Sequence, residues 1–316
     1  MALIKSSKPK ALIFLGNGFD IAHGYQTSYE DFYKNCKELK TLAEKGNSLC
    51  KHIIENVHGE LWKDLECGLY NYSRMLTQKD KEGNLMSAKR FKSEFFSLKE
   101  SLFYYLENEQ NNRSVSNNPG RRVELLYNEW GKLDYKIVSF NYTFTVANYT
   151  VPPDSYKGDL DFDFNKLIYQ HGSIKNVDRV GNNTIDSIVL GIDDTQEVEE
   201  SHSFLYKSHQ NPFDLHSLIK LMDISDIFIV YGCSMGPSDD SYFRNLFNDK
   251  KDKLFIIYGY GDGKMEELKG IVHKYTGGLS QFQTFNSLSF IDCSKWNALA
   301  DTKEALSKWN TNTDSF

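Results

Sequence analysis

Cysteines that could cross-link the chain or hold zinc are scarce in this sequence. The five cysteines are an odd number, and no two of them stand in a C-x-x-C pair. A disulfide framework or a structural zinc site is therefore not expected. Buried free thiols in a reducing compartment are the plain interpretation.

Long hydrophobic runs and basic clusters are missing as well. The first apolar run, Ala11–Leu15, is too short for a signal peptide, and no stretch approaches the length of a membrane span. The net charge is −6, and the doublet Arg121-Arg122 is too short to form a basic stripe. We therefore expect a cytoplasmic protein with no membrane partner, and the charge argues against nucleic acid as its main partner.

Prolines are few, and aromatic residues are plentiful. Only 6 prolines occur among 316 residues, so long loops and linkers are not expected, whereas 19 Tyr and 21 Phe can fill a large core. The length allows one large domain, or a core domain that carries a sizeable insertion.

Short, continuous apolar runs are separated by helical or polar stretches, which is typical of strands buried on both faces of a parallel sheet. They are Ala11–Leu15, Ile137–Phe140, Leu167–Tyr169, Ile227–Tyr231 and Leu254–Tyr258, with Ser187–Leu190 and Leu288–Ile291 as weaker candidates. The pattern predicts an α/β protein with an open, mostly parallel Rossmann-like sheet and helices on both faces.

Residues 28–132 follow a helical pattern instead. Thr27 and Glu30 fit a capping box that opens a helix through Leu39. Apolar residues then recur at helical spacing, namely Leu61, Leu65 and Leu69 in one stripe and Ala88, Phe91, Phe95, Leu98, Leu102 and Tyr105 in another. We predict a large helical insertion, 28–132, after the first strand of a nucleotide-binding core formed by 1–27 and 133–316.

Polar residues or glycines follow four of the predicted strands. These strand ends are Gly16–Asp20, Ser139–Thr143, His171-Gly172 and Tyr231–Gly236. Because the carboxyl ends of parallel strands meet at one edge of the sheet, we expect the four loops to line one nucleotide pocket.

The first loop, Gly16-Asn17-Gly18-Phe19-Asp20, suits a phosphate, because glycines admit it closely and the free N–H groups at a helix start can hold it. The usual dinucleotide fingerprint would require glycine at position 21, which is Ile21, so the ordinary dehydrogenase interpretation fails. A tight turn without a ligand remains the alternative.

The other three strand ends offer chemistry of their own. Asn141 can hold ribose hydroxyls or orient a water, or it can cap a turn. His171 suits a general acid or base, or a structural role. Ser234 can donate to a phosphate or ribose, or it can close a turn. Cys233 is not predicted to be a nucleophile, because no paired base is evident.

Three histidines recur every seven residues, at His202, His209 and His216. Such spacing can indicate a metal, but Pro212 interrupts any helix between them, and no acidic or thiol ligand stands at a ligand spacing. No metal site is predicted.

A series of motifs resembles the AbiH family of bacteriophage abortive-infection proteins. Gly16–Gly24 reads G-N-G-F-D-x-x-H-G, residues 27–32 read T-S-Y-x-D-F, and Trp62–Glu66 reads W-x-D-L-E. The strand-end elements S-F-N-Y-T, H-G and G-x-S follow in the family's order. The resemblance implies an anti-phage effector, for which a phage-derived trigger and a homo-oligomer are open expectations. In the W-x-D-L-E element, Asp64 and Glu66 suit structural ion pairs, and a lid over the pocket is the alternative for Glu66.

More distantly, the same series is similar to sirtuin-like NAD-processing domains. That similarity implies NAD as substrate or ligand, Asn141 and His171 as the catalytic pair, and Asp20 as a group that binds a ribose hydroxyl or offsets positive charge. The remaining residues of the implied nucleotide site are Gly16, Asn17, Gly18, Phe19, Tyr142, Gly232 and Ser234.

The sequence also departs from the sirtuin-like pattern. Asn17 replaces a small alanine, Asp20 stands where serine is expected, and Ser139 replaces a threonine. Thr143 replaces an aspartate, and the paired cysteines of the deacylating enzymes are absent. The resemblance therefore favours hydrolysis of the nicotinamide–ribose bond over deacylation. The alternatives are a nucleotide sensor without catalysis, and a module whose helical insertion docks protein or RNA.

Overall fold

A computed structural model describes residues 9–56, 65–81, 88–112, 126, 128–145, 166–174, 185–210 and 215–313. The strands within these ranges are β1 (Lys10–Leu15), β2 (Asp134–Ser139), β3 (Leu167–Tyr169), β4 (Ile227–Tyr231), β5 (Leu254–Gly259) and β6 (Ser287–Asp292). The helices are α1 (Gly18–Ala22), α2 (Tyr29–Asn35), α3 (Lys37–Glu44), α4 (Ser48–Glu55), α5 (Leu65–Lys81), α6 (Ala88–Asn112), α7 (Leu215–Asp223), α8 (Asp240–Phe247), α9 (Asp262–Thr276), α10 (Leu279–Gln283) and α11 (Ala298–Thr313). Short 3-10 helices span Ile185–Ser187, Glu200–Leu205, Lys207–His209 and Pro237–Asp239.

The strands form one six-stranded sheet in the order β3-β2-β1-β4-β5-β6, and every neighbouring pair is parallel. This order reverses between β1 and β4, as it does in the Rossmann arrangement. The predicted α/β class with an open parallel sheet is confirmed. The weaker run Leu288–Ile291 is part of β6.

The other weak run, Ser187–Leu190, is not a strand of this sheet. Ser187 ends a 3-10 helix, and Ile188 forms a single antiparallel bridge with Gly172. Ile188 and Leu190 instead pack in the core of the helical part of the chain. A short apolar run predicts burial, and here the apolar neighbours are helices rather than strands.

Side chains of the sheet alternate between two apolar cores. Ile13 and Leu15 of β1 pack with Trp130 and with Trp309 of α11 on one face. The other face buries the alternate side chains of β1 against α7, α8, α9 and α10. Helices therefore cover both faces, as predicted. The central strands β1, β4 and β5 are almost wholly apolar, because neither of their faces meets water.

A third core lies among α2–α6, which come between β1 and β2 in the chain. The predicted seam along α6 is confirmed, since Phe91, Phe95, Leu98 and Leu102 are all buried there. Leu205, from the segment after β3, joins this core. By contrast Leu126 and Trp130, from the end of the predicted insertion, pack in a core of the sheet. The boundaries 28–132 stay a prediction.

The predicted capping box lies one residue further along the chain. Ser28 caps α2 by accepting from the Asp31 N–H at 3.0 Å, and Asp31 accepts from the Ser28 N–H at 3.3 Å. Helix α2 ends at Asn35 rather than continuing to Leu39, because the backbone of Cys36 is extended. No helix in the described ranges is long and apolar enough to cross a membrane.

Candidate functional site

The loop after β1 closes tightly on the loop after β4. The Gly16 N–H donates to the Tyr231 carbonyl, and the Gly18 N–H donates to the Gly232 carbonyl, both at 2.9 Å. A Cβ atom added at Gly18 would lie 2.6 Å from the Gly232 Cα. Gly232 itself has a φ of +69°, which favours glycine. Direct backbone packing therefore accounts for these glycines.

This packing uses donors that the sequence interpretation reserved for a phosphate. The N–H groups of Gly16 and Gly18 bond to the β4 loop, and the Phe19 N–H donates to the Gly16 carbonyl at 2.9 Å. Hydrogen bonds within the protein therefore occupy these three N–H groups in this structure. Asn17 also contacts protein, accepting from the Thr27 hydroxyl at 2.6 Å. Nucleotide binding by this loop stays a prediction.

Asp20 lies at the centre of a buried polar group, which we call the Asp20 cluster (Asp20, Asn141, Thr143 and Thr145). Asp20 is only 1% exposed. The Thr143 hydroxyl donates to its Oδ2 at 2.5 Å, and the Asn141 amide donates to its Oδ1 at 3.2 Å. The same amide donates to the Gly16 carbonyl at 3.0 Å. Asn141 therefore joins the ends of β1 and β2.

The chemistry of this cluster follows from its burial. Burial raises the pKa of Asp20 to about 6, although hydrogen bonds from Thr143, Thr145 and Asn141 act in the opposite direction. A carboxyl that titrates near neutral pH suits proton transfer or charge stabilisation. The Asn141 Oδ1 is buried and has no hydrogen-bond partner among the described residues. One acceptor thus remains open beside a titratable carboxyl.

His171, in the turn after β3, belongs to a second buried group. Its Nε2 lies 3.1 Å from Asp239 Oδ1, and the Lys207 ammonium lies 2.9 Å from the same oxygen. Lys207 also pairs with Glu66 of α5 at 3.0 Å and donates to the Ser238 carbonyl at 2.7 Å. We call Glu66, Lys207, Asp239 and His171 the ion chain.

Burial and charge act against each other along the ion chain. Burial, and after it Lys207, lowers the pKa of His171, while Asp239 opposes both. Burial alone would raise the pKa of Asp239, but Lys207 and His171 hold it well below its usual range. Burial alone would lower the pKa of Lys207, yet Asp239 and Glu66 raise it well above the usual value for a lysine. The carboxylate and the ammonium are therefore charged, and His171 is neutral at neutral pH.

Asn141 and His171 follow neighbouring strands but bond to different partners. Strand β2 pairs with β3, and Ser139 is the partner of Tyr169. Asn141 follows Ser139 by two positions, and His171 follows Tyr169 by two positions. The rings of Phe140 and Tyr142, which flank Asn141, lie 5.2 and 6.1 Å from the His171 ring. Asn141 bonds within the Asp20 cluster, whereas His171 belongs to the ion chain. The two buried groups thus lie side by side.

The remaining predicted residues differ in exposure. Tyr142 is buried, and its hydroxyl donates to the Val189 carbonyl at 2.9 Å. Ser234, in the loop after β4, is exposed. Cys233 is buried, and burial raises its pKa well above the usual value, which agrees with its exclusion as a nucleophile. These three residues therefore provide a buried aromatic wall, an exposed hydroxyl and an inert thiol.

Sequence analysis missed Lys207 and the role of Asp239. In the sequence Asp239 is only an acidic residue shortly after the strand end Tyr231–Gly236, and Lys207 lies between His202 and His209, whose spacing can indicate a metal. His202 is instead buried in the helical core, with its Nδ1 2.9 Å from the Ser73 hydroxyl. Of the W-x-D-L-E element, Trp62 and Asp64 lie outside the described residues, and the predicted ion pair of Glu66 is with Lys207.

An open parallel sheet with switched strand order and buried polar groups at its carboxyl edge defines a Rossmann-like α/β protein. Residues 12–260 match the family described as Bacteriophage abortive infection AbiH. Because the match covers more than half of the chain, the chain belongs to the AbiH family, and its role is in phage abortive infection. No curated protein matches this sequence.

Proposed function

We propose that this AbiH protein binds NAD at the carboxyl edge of its sheet and hydrolyses the nicotinamide–ribose bond, depleting the infected cell of NAD. The observation that carries the proposal is the pair of buried groups at adjoining strand ends, one with a carboxyl that titrates near neutral pH and one with a neutral histidine. Catalytic sites are where such perturbed groups concentrate.

Two departures from the sirtuin-like pattern, at Asp20 and Thr143, compensate for each other and so support the proposal. That pattern has an aspartate at the position of Thr143 and a serine at the position of Asp20. In this chain the Thr143 hydroxyl donates to Asp20 at 2.5 Å. A carboxylate therefore occupies the same small region, supplied by the end of β1 instead of the end of β2.

The reaction needs three tasks from these residues. Loss of nicotinamide develops positive charge on the ribose, as in glycoside hydrolysis, and ionised Asp20 offsets that charge. The open Oδ1 of Asn141 orients a ribose hydroxyl or the attacking water. His171 accepts the proton that this hydroxyl or water gives up. Water adds to the ribose carbon as the bond to nicotinamide breaks, leaving ADP-ribose and one proton.

The test is release of nicotinamide from NAD by the purified full chain, with and without extract of phage-infected cells as a source of a trigger. We expect turnover by the parent, and a loss of roughly 10²–10⁴-fold in His171→Ala and Asn141→Ala, the range for removing acid–base groups. His273→Ala is the matched control, because His273 is exposed on α9. Circular dichroism and thermal unfolding confirm that each variant folds.

Two outcomes would contradict the proposal. Nicotinamide release that survives unchanged in both site variants would assign the activity to other residues. Saturable NAD binding without turnover in either condition would instead support the alternative of a nucleotide sensor. Titration calorimetry with NAD separates binding from turnover.

A further inference from the structure

The ion chain crosses the carboxyl edge of the sheet. His171 follows β3 and Asp239 follows β4, and in the sheet order these strands are separated by β2 and β1. Three strand spacings amount to about 14 Å, so the loop after β4 must reach over β1 and β2 to meet His171 at 3.1 Å. Glu66 and Lys207 come from two further segments. Four distant parts of the sequence thus meet in the ion chain.

Three of these four residues are buried almost completely, and the side chain of the fourth, Asp239, is 13% exposed. The exposed fractions are 4% for Glu66, 3% for Lys207 and 4% for His171. Isolated charges are very costly in such surroundings. Two carboxylates face one ammonium here, so the group carries one excess negative charge while His171 is neutral. A proton gained by His171 would balance the group.

We infer that Asp239, held by Lys207, is the positioning residue that sets the proton location and the basicity of His171 in the proposed reaction. The catalytic part of this inference rests on the proposed function. The contact itself is independent of that function. Asp239 is not a catalytic residue in this scheme, because it acts only through the imidazole.

The groups around His171 explain why Asp239 has this role. The charged groups that face the ring are Asp239 and Lys207, and the Tyr142 and Tyr242 rings lie 6.1 and 6.2 Å away. The Phe140 backbone also bonds to the imidazole. His171 Nε2 lies 3.1 Å from Asp239 Oδ1 without a well-aligned hydrogen bond in the structure. Because a carboxylate attracts the single proton of the neutral ring more strongly than a neutral backbone group does, we expect the Nε2–H form. Once His171 accepts a second proton, Asp239 stabilises the imidazolium.

The first experiment is an NMR titration of the ¹⁵N-histidine-labelled full chain, with the His171 signal assigned from His171→Ala. In the parent we expect the neutral ring to carry its proton on Nε2. In Asp239→Asn we expect the pKa of His171 to fall by about one unit or more, because an opposite charge at this distance is lost. Asp240→Asn is the matched control, since Asp240 pairs with Arg244 at 2.6 Å outside the ion chain.

The second experiment is the pH profile of nicotinamide release. Because activity requires neutral His171, the acidic limb of kcat in Asp239→Asn should move to lower pH, with a maximum reduced roughly 10²-fold. A purely structural role of Asp239 would lower the amount of folded enzyme without moving this limb. Lys207→Arg keeps the positive charge beside Asp239, so its pH profile should be close to that of the parent.

Two results would overturn the inference: the Nδ1–H form in the parent, or a His171 pKa that Asp239→Asn leaves unchanged. The first does not depend on Asp239→Asn and holds even if that variant does not fold. A parent that releases no nicotinamide, with the titration as expected, overturns the proposed function and leaves the link between Asp239 and His171 supported. An active parent with an unshifted His171 overturns the inference alone.

Discussion

Asp20 brings a carboxyl group into the interior, so its protonation makes the stability of the protein depend on pH. Burial raises its pKa from 3.8 to about 6 in the folded chain. The folded state therefore binds this proton more tightly than the unfolded state. Stability should fall as the pH rises from about 4 to about 6, and stay at the lower level above that. Two units correspond to on the order of 3 kcal/mol.

Asp20→Asn tests this dependence with little change in shape. The amide oxygen can accept from Asn141, and the amide N–H can donate to the Thr143 hydroxyl. We expect the variant to lose much less stability than the parent between pH 4.5 and 7.5, as measured by urea unfolding. Asp134→Asn, at an exposed position of β2, should behave like the parent. Parallel pH curves for the parent and Asp20→Asn would contradict the prediction.

How much of the site can be predicted from sequence differs between residues. Asp20, Asn141 and His171 each follow an apolar run, and the strand-end rule for parallel sheets is enough to single them out. Lys207 and Asp239 carry no such local signal. Their importance comes from burial and from partners far away in the chain, which depend on how the loop after β4 crosses the sheet. Tertiary contacts of this kind produce no periodic pattern of residues in the sequence.

At the scale of elements, the close approach of two loops requires glycine. A methyl group at Gly18 would lie 2.6 Å from the Gly232 Cα, against backbone rather than a flexible side chain. We expect Gly18→Ala to destabilise the protein by about 1–3 kcal/mol, the usual cost of overpacking. Thermal and urea unfolding measure this cost.

Gly270→Ala provides the opposite expectation within the same chain. Gly270 lies inside α9, and a methyl group there meets nothing within 4 Å. Alanine in a helix interior should stabilise by about 0.5–1 kcal/mol. Equal effects of the two substitutions would show that the loop contact does not explain Gly18.

The T-S-Y-x-D-F motif also acts at the scale of elements. Ser28 and Asp31 form the capping box of α2, Phe32 is fully buried in the helical core, and Thr27 bonds to Asn17. The motif therefore attaches the first helix of the helical part to the loop after β1. Sequence reasoning found a capping box within one residue of its position, because Thr27 and Ser28 are both good caps. In the structure Ser28 caps the helix, whereas the hydroxyl of Thr27 donates to Asn17, a tertiary contact that the local sequence does not predict.

At the scale of the whole molecule, the loop after β2 contributes to two apolar cores, since Phe140 packs on one face of the sheet and Tyr142 packs in the helical core. Sequence periodicity predicted strands and helices, but it does not predict strand order, because order depends on how connections cross the sheet. It also could not show that Leu205 packs with the helices while Trp130 packs with the sheet. The ion chain is one place where these parts are joined, since Glu66 belongs to α5 and Asp239 to the β4 loop.

Lys207 should therefore matter to the stability of the whole fold. Lys207→Met leaves the buried carboxylates of Glu66 and Asp239 without their shared cation, and breaking a buried pair in this way costs about 3–5 kcal/mol. Glu66→Gln alone should cost less, because Asp239 still pairs with Lys207. In the double variant one of the two stranded charges is gone, so its cost should be smaller than the sum, by about 0.5–3 kcal/mol. Urea unfolding of the four proteins at pH 7 measures this coupling, and strictly additive costs would mean that the helical part and the strand-end loops are not joined energetically through Lys207.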